Sequence, residues 1–115
     1  MNQRETIDMN VIESLKELGD EDLLKDLVEL FITDTPLRLL ELGQAFSERD
    51  SDQVEAIAHT LKSSCANLGA MRLSNMCQEL ETAGRKATIE DIGDLVVLTR
   101  EEYERVREAL QACVD

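Results

Sequence analysis

Residues 50–69 read DSDQVEAIAHTLKSSCANLG, and this stretch carries the signals that begin, continue and end an α-helix. Asp50 or Ser51 can accept a hydrogen bond from the free backbone N–H groups at a helix start. Gly69 is suited to the left-handed conformation that commonly follows a helix end. The stretch therefore predicts a helix that runs to about Leu68.

One face of this helix is apolar when successive residues are placed about 100° apart. That face comprises Val54, Ala58, Leu61, Cys65 and Leu68, with Ile57 beside it. His59, the only histidine of the chain, lies roughly 140° from the centre of the apolar face at the same spacing. We therefore expect the imidazole to face solvent or a partner protein.

Two helices are predicted before this stretch. The first is short and covers about residues 10–18, after the capping residue Asp8. The second follows the cap Asp20 and ends near Glu48, and Pro36 is expected to kink or loosen it because proline lacks an N–H. Its apolar stripe comprises Leu23, Leu24, Leu27, Leu30 and Phe31.

Two more helices are predicted after it. One spans about residues 70–85, and the last extends to about Cys113 after Thr88 as its cap. Negative charge in the first turn of that last helix, from Glu90 and Asp91, is favoured by the helix dipole. The core candidates on the two helices are Leu73, Met76, Cys77, Leu80, Ala83 or Gly84, Leu95, Leu98, Tyr103, Val106 and Leu110.

The composition agrees with packed helices. Of the 115 residues, 43% are hydrophobic and only 3% are aromatic, so the core is built mainly from aliphatic side chains. Such a core suits helices better than a β-sandwich. We predict one all-α domain over residues 1–115, an antiparallel four-helix bundle with a short additional N-terminal helix.

The net charge is −13, from 25 acidic and 12 basic residues. Such a surface repels nucleic-acid phosphates and anionic lipid, so we expect neither a nucleic-acid nor a membrane partner. The start MNQRETIDMN lacks the basic and apolar regions of a signal peptide. We therefore expect a cytoplasmic location.

The cysteines Cys65, Cys77 and Cys113 are odd in number and widely spaced. We expect them to be reduced and buried, as in a cytosolic protein. Three scattered cysteines and one histidine do not suggest a zinc site. Di-metal bundles need two Glu-x-x-His pairs, which one histidine cannot supply. No metal or cofactor is therefore expected on this chain.

Short side chains surround His59 on its predicted face, namely those of Ala56, Ser63 and Ala66. They allow another protein to approach the imidazole, and Lys62 one turn later could neutralise an anion held there. A neutral imidazole is a good nucleophile near pH 7, and its attack on phosphorus gives a phosphoramidate. The sequence has no nucleotide-binding motif, which predicts a carrier rather than a kinase.

The segment AHTLKSSCANLGAMRL, residues 58–73, resembles the signature of the histidine-containing phosphotransfer (HPt) domains of bacterial multistep phosphorelays. The matching residues are His59, Leu61, Lys62, Ser64 and Gly69. Residues 27–42 and 77–85 also resemble the helices that precede and follow the active helix of that family. The resemblance covers most of the chain and implies a helical bundle with an exposed, phosphorylated histidine.

The resemblance implies that His59 is the phosphoacceptor and that Lys62 neutralises the phosphoryl group. It implies a phosphorelay intermediate that receives the group from the aspartate of one receiver domain and passes it to another. Receiver domains and a hybrid sensor histidine kinase are the implied partners, and Mg²⁺ is expected at the receiver. A carrier that docks successive partners is most simply a monomer.

Two residues depart from the family pattern. Ser63 stands where the family most often has glycine. Glu81 lies near the position where some members have a glutamine that bonds the imidazole, and its carboxylate could either bond Nδ1–H or repel the phosphate.

Two questions stay open from the sequence, namely which residues form the docking face and which class of function the chain has. Phe31, Asp34 and Arg38 share one face of the preceding helix and are possible partner contacts, although Phe31 is equally suited to the core and the other two to ordinary surface. An acidic helical adaptor without chemistry, which binds a basic partner, is the alternative function.

Overall fold

The computed structural model of the protein describes residues 6–19 and 21–115. Over these residues the chain forms five α-helices, joined without any strand: α1 (Met9–Leu18), α2 (Glu21–Ser47), α3 (Ser51–Asn67), α4 (Met71–Arg85) and α5 (Gly93–Val114). A 3₁₀ turn, Ile89–Asp91, lies between α4 and α5. The all-α class is confirmed, and most helix boundaries lie within one residue of the prediction.

Helices α2 to α5 form the bundle. Each of them packs against two others, so that α3 lies between α2 and α4, and α5 closes the ring by contacting both α4 and α2. Short connections make sequential neighbours antiparallel. Helix α1 packs on α2. The largest fully buried aliphatic side chains are Ile7, Ile12, Leu24, Val28, Leu42, Val54, Leu61, Leu73, Leu80, Val106 and Leu110.

Aspartates cap the helices α1 and α3. The Asp8 carboxylate accepts a hydrogen bond from the Asn10 N–H at 3.0 Å. Asp50, rather than the alternative Ser51, caps α3 by accepting from the Gln53 N–H at 3.2 Å. Each cap satisfies a backbone donor that the helix itself leaves free. The predicted cap Asp20 lies outside the described residues.

Gly69 ends α3 as predicted, with φ at +79°. Its N–H donates to the Ala66 carbonyl at 3.0 Å, and the Ala70 N–H donates to the Cys65 carbonyl at 2.9 Å. This is the paired pattern of a Schellman motif, in which a left-handed residue follows the helix. The Gly69 carbonyl also accepts from the Asp8 N–H at 2.8 Å, so this turn holds the start of α1.

Pro36 does not end α2, which continues as helix to Ser47. Because proline has no N–H, the carbonyl of Ile32 lacks its usual partner four residues later. The Tyr103 hydroxyl on α5 donates to this carbonyl at 3.4 Å. Burial raises the pKa of Tyr103, so the hydroxyl keeps its proton and remains a donor. A side chain of another helix thus satisfies the group that proline leaves free.

The start of α5 differs from the prediction. Thr88 does not cap the helix; its hydroxyl donates instead to the Ala83 carbonyl at 3.5 Å. The 3₁₀ turn follows, and α5 begins only at Gly93. Ile89 and Ile92 are both buried, and their burial explains why the chain makes an extra turn before the helix starts.

Three leucines predicted on apolar stripes are exposed. Leu23, Leu30 and Leu98 have relative exposures of 37%, 65% and 49%. On α5 the buried positions instead include Val96 and Thr99. Leu98 lies roughly 90° from the centre of that buried arc at the helix spacing. The predicted stripes were therefore wider than the faces that the bundle covers.

Candidate functional site

His59 lies on the outer face of α3, and 62% of its side chain is exposed. The apolar arc on the other face of the helix is buried as predicted, and it comprises Val54, Ile57, Ala58, Leu61, Cys65 and Leu68. The predicted exposure of the imidazole is therefore confirmed. The backbone of α3 presents the ring to solvent because the core takes up the opposite face.

The side chains predicted to surround His59 leave the ring accessible. Ala56 and Ser63 are exposed, and Ala66 is half-buried. The Ser63 hydroxyl donates to the backbone carbonyl of His59 at 3.4 Å, so it turns back along the helix. Serine in place of the family's usual glycine therefore adds little bulk beyond the helix surface.

A buried carboxylate from α4 holds the imidazole. Glu81 is only 4% exposed, and its Oε2 lies 2.9 Å from Nδ1 of His59. Close packing of the two helices brings it there. A Cβ atom built on Gly84 would lie 2.6 Å from the Glu55 backbone nitrogen, so only a glycine fits at this approach. The Ser74 hydroxyl, which donates to the Lys62 carbonyl at 3.0 Å, adds a second link.

Lys62 is tied to the same carboxylate. Its ammonium donates to Oε1 of Glu81 at 2.6 Å and to Oε1 of Gln78 at 3.0 Å. The side chain of Lys62 is 27% exposed, so the ammonium remains within reach of solvent beside the imidazole. Gln78 was not predicted.

Arg85 completes the cluster and was also missed from the sequence. One guanidinium nitrogen donates to Oε2 of Glu81 at 3.2 Å, and another donates to Oε2 of Glu55 at 3.1 Å. The first contact joins residues four apart on one helix, a spacing that favours ion pairs. That spacing was a visible signal in the sequence, whereas the link to Glu55 depends on how α4 lies against α3.

The electrostatics of the cluster determine which nitrogen of His59 carries the proton. The hydrogen bond from Lys62 is the main cause that lowers the pKa of Glu81; burial opposes it, and the bond with His59 adds to the lowering. Glu81 is therefore ionised near neutral pH and can only accept hydrogen bonds. Nδ1 must then be the donor, and a neutral ring in this tautomer carries its lone pair on Nε2, at the opposite edge.

An apolar groove of about 330 Å³ lies along the other side of α3, between α3 and α2. It is lined from α2 by Leu27, Leu30, Phe31 and Asp34 and from α3 by Ser64 and Asn67. By helix spacing, Ala56 and Ser63 lie between His59 and these α3 residues. We refer to it below as the α2–α3 groove. The exposed face of α3 therefore joins the imidazole to the groove.

The three residues of α2 considered as partner contacts have different environments. Phe31 is 5% exposed and packs against Tyr103 with ring centroids 5.9 Å apart, so it is a core residue at the floor of the groove. Asp34 lines the groove and accepts from Arg38 at 3.4 Å. Arg38 also pairs with Glu41 at 3.8 Å, which keeps its guanidinium along its own helix.

The cysteines lie away from this surface. Cys65 and Cys77 are buried free thiols, and Cys113 is a half-buried free thiol. The hydrogen bond to Cys77 and burial raise the pKa of Cys65, and burial raises the pKa of Cys113.

Within residues 6–19 and 21–115, no three His, Cys, Asp or Glu side chains converge on a possible metal position. None of the helices described there has the length and apolarity of a membrane span.

Comparisons with known proteins place these features in a family. The model of the Hpt domain family matches residues 26–109, which include His59 and every residue of the cluster around it. The fold is similar to the crystal structure of histidine-containing phosphotransfer protein B (HptB) from Pseudomonas aeruginosa PAO1. The TM-score is 0.88 at 27% identity, over 93% of this chain and 92% of that one.

Curated relatives of this chain occur in fungi and bacteria. The phosphorelay intermediate protein YPD1 of Candida albicans is 28% identical over 63% of this chain. Multistep phosphorelay regulator 1 of Schizosaccharomyces pombe is 24% identical over 73% of it. The sensor protein TorS of Escherichia coli is 28% identical over 70% of it. The matches span only 39% of YPD1, 30% of the regulator and 9% of TorS.

Proposed function

The chain belongs to the Hpt domain family, and from this premise we propose that it is a phosphorelay intermediate with His59 as its phosphoacceptor. The observation that carries the proposal is an exposed imidazole whose Nδ1 is held by a buried carboxylate at 2.9 Å. Among the residues that the structure describes, no group bonds Nε2 on the other edge of this exposed ring. The names of YPD1 and of multistep phosphorelay regulator 1 support the same function.

The chemical step transfers a phosphoryl group from a receiver-domain aspartate. The lone pair of Nε2 forms the N–P bond while the P–O bond to the aspartate breaks, and its electron pair returns to the aspartate carboxylate. The ring keeps its Nδ1 proton and becomes positively charged. The reverse sequence, onto the aspartate of another receiver, returns the imidazole to its neutral state. We propose that Lys62, whose ammonium bonds the same carboxylate as the imidazole, helps to neutralise the phosphoryl oxygens.

The chain contributes a nucleophile and a cation, and we assign the remaining components to the partner. Phosphoryl transfer generally uses a divalent metal, and we propose that the receiver domain supplies the Mg²⁺. The chain then acts as a carrier without kinase activity of its own. Receiver domains and a hybrid sensor histidine kinase are the proposed partners, and the domain is proposed to act in the cytoplasm as a monomer.

We propose that the receiver docks on the exposed face of α3 and on the α2–α3 groove. Ala56, Ser63 and Ala66 would lie beneath the receiver because their short side chains leave the imidazole accessible. The groove offers apolar area next to this face, with Leu30 65% exposed at its edge. Burial of such area supplies much of the free energy of docking.

Replacement of the imidazole tests the proposal. The parent chain and the His59→Gln variant are incubated with a receiver domain labelled on its aspartate and with Mg²⁺. We expect the parent to take up acid-labile label and the variant to take up none, since His59 is the only histidine of the chain. Because His59 is bonded to the buried Glu81, circular dichroism and thermal unfolding of both proteins check that the variant keeps the fold.

The opposite result separates the two functions considered for this chain. Equal uptake of label by the parent and by His59→Gln would show that His59 is not the phosphoacceptor. The net charge of −13 favours the adaptor as the second candidate. Mass spectrometry under conditions that spare phosphohistidine distinguishes the two functions. An adaptor would carry no phosphohistidine, and its parent and His59→Gln forms would bind the partner equally well.

A further inference from the structure

Gln78 belongs to the cluster around His59, yet the proposed transfer gives it no part. Its side-chain Oε1 accepts from the ammonium of Lys62 at 3.0 Å, and Oε1 of Glu81 accepts from the same ammonium at 2.6 Å. We propose that Gln78 is a positioning residue that holds Lys62 in the unphosphorylated chain, and that a phosphoryl oxygen takes its place when His59 is phosphorylated. This inference rests on the proposed function.

The ammonium of Lys62 is held away from the place where the phosphoryl group forms. The two oxygens of Glu81 bond this ammonium and Nδ1 of His59, so the ammonium lies toward the Nδ1 edge of the ring. The N–P bond forms at Nε2, on the opposite edge. An ammonium has three N–H donors, and Glu81 and Gln78 occupy two of them. Movement of Lys62 toward the phosphoryl oxygens therefore requires that one of these two bonds break.

The bond to Gln78 costs less to break than the bond to Glu81. Glu81 is only 4% exposed, and loss of Lys62 would remove a cation from a buried carboxylate. That bond also joins two charged groups, which makes it the stronger of the two. Gln78 is uncharged and exposed, so water can replace the ammonium on its oxygen. We therefore expect Lys62 to keep Glu81 and to exchange Gln78.

Thr82 fixes the amide of Gln78 with its oxygen toward Lys62. The single hydroxyl proton of Thr82 is donated to the backbone carbonyl of Gln78 at 3.0 Å, so the hydroxyl oxygen accepts from the side-chain Nε2 of Gln78 at 3.3 Å. The two residues are four apart on α4, a spacing that brings side chains together. The amide oxygen therefore keeps its direction after release and can bond the ammonium again once the phosphoryl group has left.

This exchange predicts that Gln78 affects the equilibrium of the transfer. A hydrogen bond that exists only in the unphosphorylated chain stabilises that form relative to the phosphorylated form. Removal of the acceptor at position 78 should therefore favour the phosphorylated chain. A stronger acceptor at the same position should favour the unphosphorylated chain. Two variants of Gln78 are thus expected to act in opposite directions.

The first test measures how label divides at equilibrium between the chain and a receiver domain that phosphorylates the parent. In Gln78→Met the acceptor is absent, and we expect the ratio of phosphorylated to unphosphorylated chain to rise about fivefold, or about 1 kcal/mol. In Gln78→Glu a carboxylate holds Lys62 more tightly and repels the phosphoryl group. We expect this variant to lower the ratio at least about tenfold.

Gln111→Met and Gln111→Glu are the matched controls. Gln111 lies on α5, outside the cluster around His59, and the two substitutions make the same changes in charge and size as those of Gln78. Both controls should keep the ratio of the parent. Circular dichroism and thermal unfolding show whether the bundle is intact in each of the four variants.

The second test follows the Gln78 side chain in the parent and needs no variant. Phosphoramidate phosphorylates an imidazole without a receiver domain, since its own N–P bond breaks and ammonia leaves as the bond to Nε2 forms. The ¹⁵N resonances of the side-chain amides are recorded before and after this treatment. We expect the resonance of Gln78 to move because the ammonium leaves its oxygen, and that of Gln111 to stay.

Two results would overturn the inference. If the Gln78 variants shift the ratio in the same direction, or leave it unchanged, Gln78 does not compete with the phosphoryl group for Lys62. An unmoved amide resonance of Gln78 in the phosphorylated parent would show that its bond to Lys62 persists. If neither phosphoramidate nor the labelled receiver phosphorylates the parent, the proposed function fails instead, and the two failures are distinct.

Discussion

The two sides of α3 are built in opposite ways. Toward α4 the backbones approach so closely that Gly84 has no room for a side chain, and the polar groups at the edge of the contact are paired. Toward α2 the helices leave a groove of about 330 Å³ with an exposed leucine at its rim. The same helix therefore has one closed, charged side and one open, apolar side.

The difference shows how one helix can meet two requirements. A reacting ring needs its orientation fixed to within a fraction of an ångström, and the closed side achieves this through short hydrogen bonds from rigid helices. A carrier must also dock more than one receiver, and an open apolar surface can accommodate partners that differ in sequence. Three predictions test this division.

The largest effect is expected on the closed side. In Gly84→Ala the new Cβ would lie 2.6 Å from the Glu55 nitrogen and 2.8 Å from the Ser51 carbonyl oxygen, both of them backbone atoms. Helix α4 must then move away from α3. We expect a loss of about 1–3 kcal/mol in the free energy of unfolding, as is usual for overpacking. Denaturant unfolding measures it.

Gly43→Ala is the matched control, because Gly43 also lies inside a helix but its new Cβ would meet only the guanidinium end of Arg100. That flexible side chain can move. Alanine is the better helix former, so we expect a gain of about 0.5–1 kcal/mol. If both variants lose stability to the same extent, close packing is not what distinguishes the α4 side.

The second effect concerns the open side. Leu30→Glu places a charge at the rim of the α2–α3 groove, and we expect the affinity for a receiver domain that phosphorylates the parent to fall about tenfold, or about 1.4 kcal/mol. Leu40→Glu is the control, since Leu40 is 68% exposed on the same helix, against 65% for Leu30, and does not line the groove. Isothermal titration calorimetry measures the affinity of both variants for the receiver. If Leu30→Glu and Leu40→Glu lose affinity equally, the docking surface lies elsewhere.

The third effect is the smallest near neutral pH. It is the contribution of Glu81 to the free energy of unfolding as the solution becomes acidic. Because its pKa is lowered in the folded state, the stabilisation is fully present above the ordinary glutamate pKa of about 4.3 and is lost as the pH falls through the lower folded value. We expect Glu81→Gln to reduce the slope of the free energy of unfolding against pH on the acid side. The reduction should not exceed what the uptake of one proton accounts for. If Glu81→Gln leaves that slope unchanged, the ionised pairing of Glu81 is contradicted.

These comparisons also show what the sequence could predict. The exposure of His59 depends only on its own helix, and helix spacing was therefore sufficient to find it. The caps of α1 and α3 and the turn at Gly69 are equally local and were confirmed. Whether Glu81 would bond the imidazole or repel a phosphate was left open, because its position depends on how closely α4 packs against α3.

The errors have the same origin. Leu30 and Leu98 belong to apolar stripes, yet they are exposed because each helix is covered over a narrower arc than its stripe. Glu102 was not considered for the core, although it is 1% exposed and pairs with Arg105 at 3.0 Å. A pattern of apolar residues cannot identify a buried carboxylate, since burial of that charge depends on a partner that only the tertiary structure supplies.

The hydrogen bond from Tyr103 to the carbonyl of Ile32 has a consequence for the alignment of the whole bundle. Aliphatic faces alone discriminate poorly between alignments that differ by slippage of one turn, about 5.4 Å. Such slippage of α5 along α2 would leave the hydroxyl of the buried Tyr103 without this partner, at a cost of about 1–3 kcal/mol. The carbonyl that Pro36 leaves free therefore favours one registry of α5 along α2.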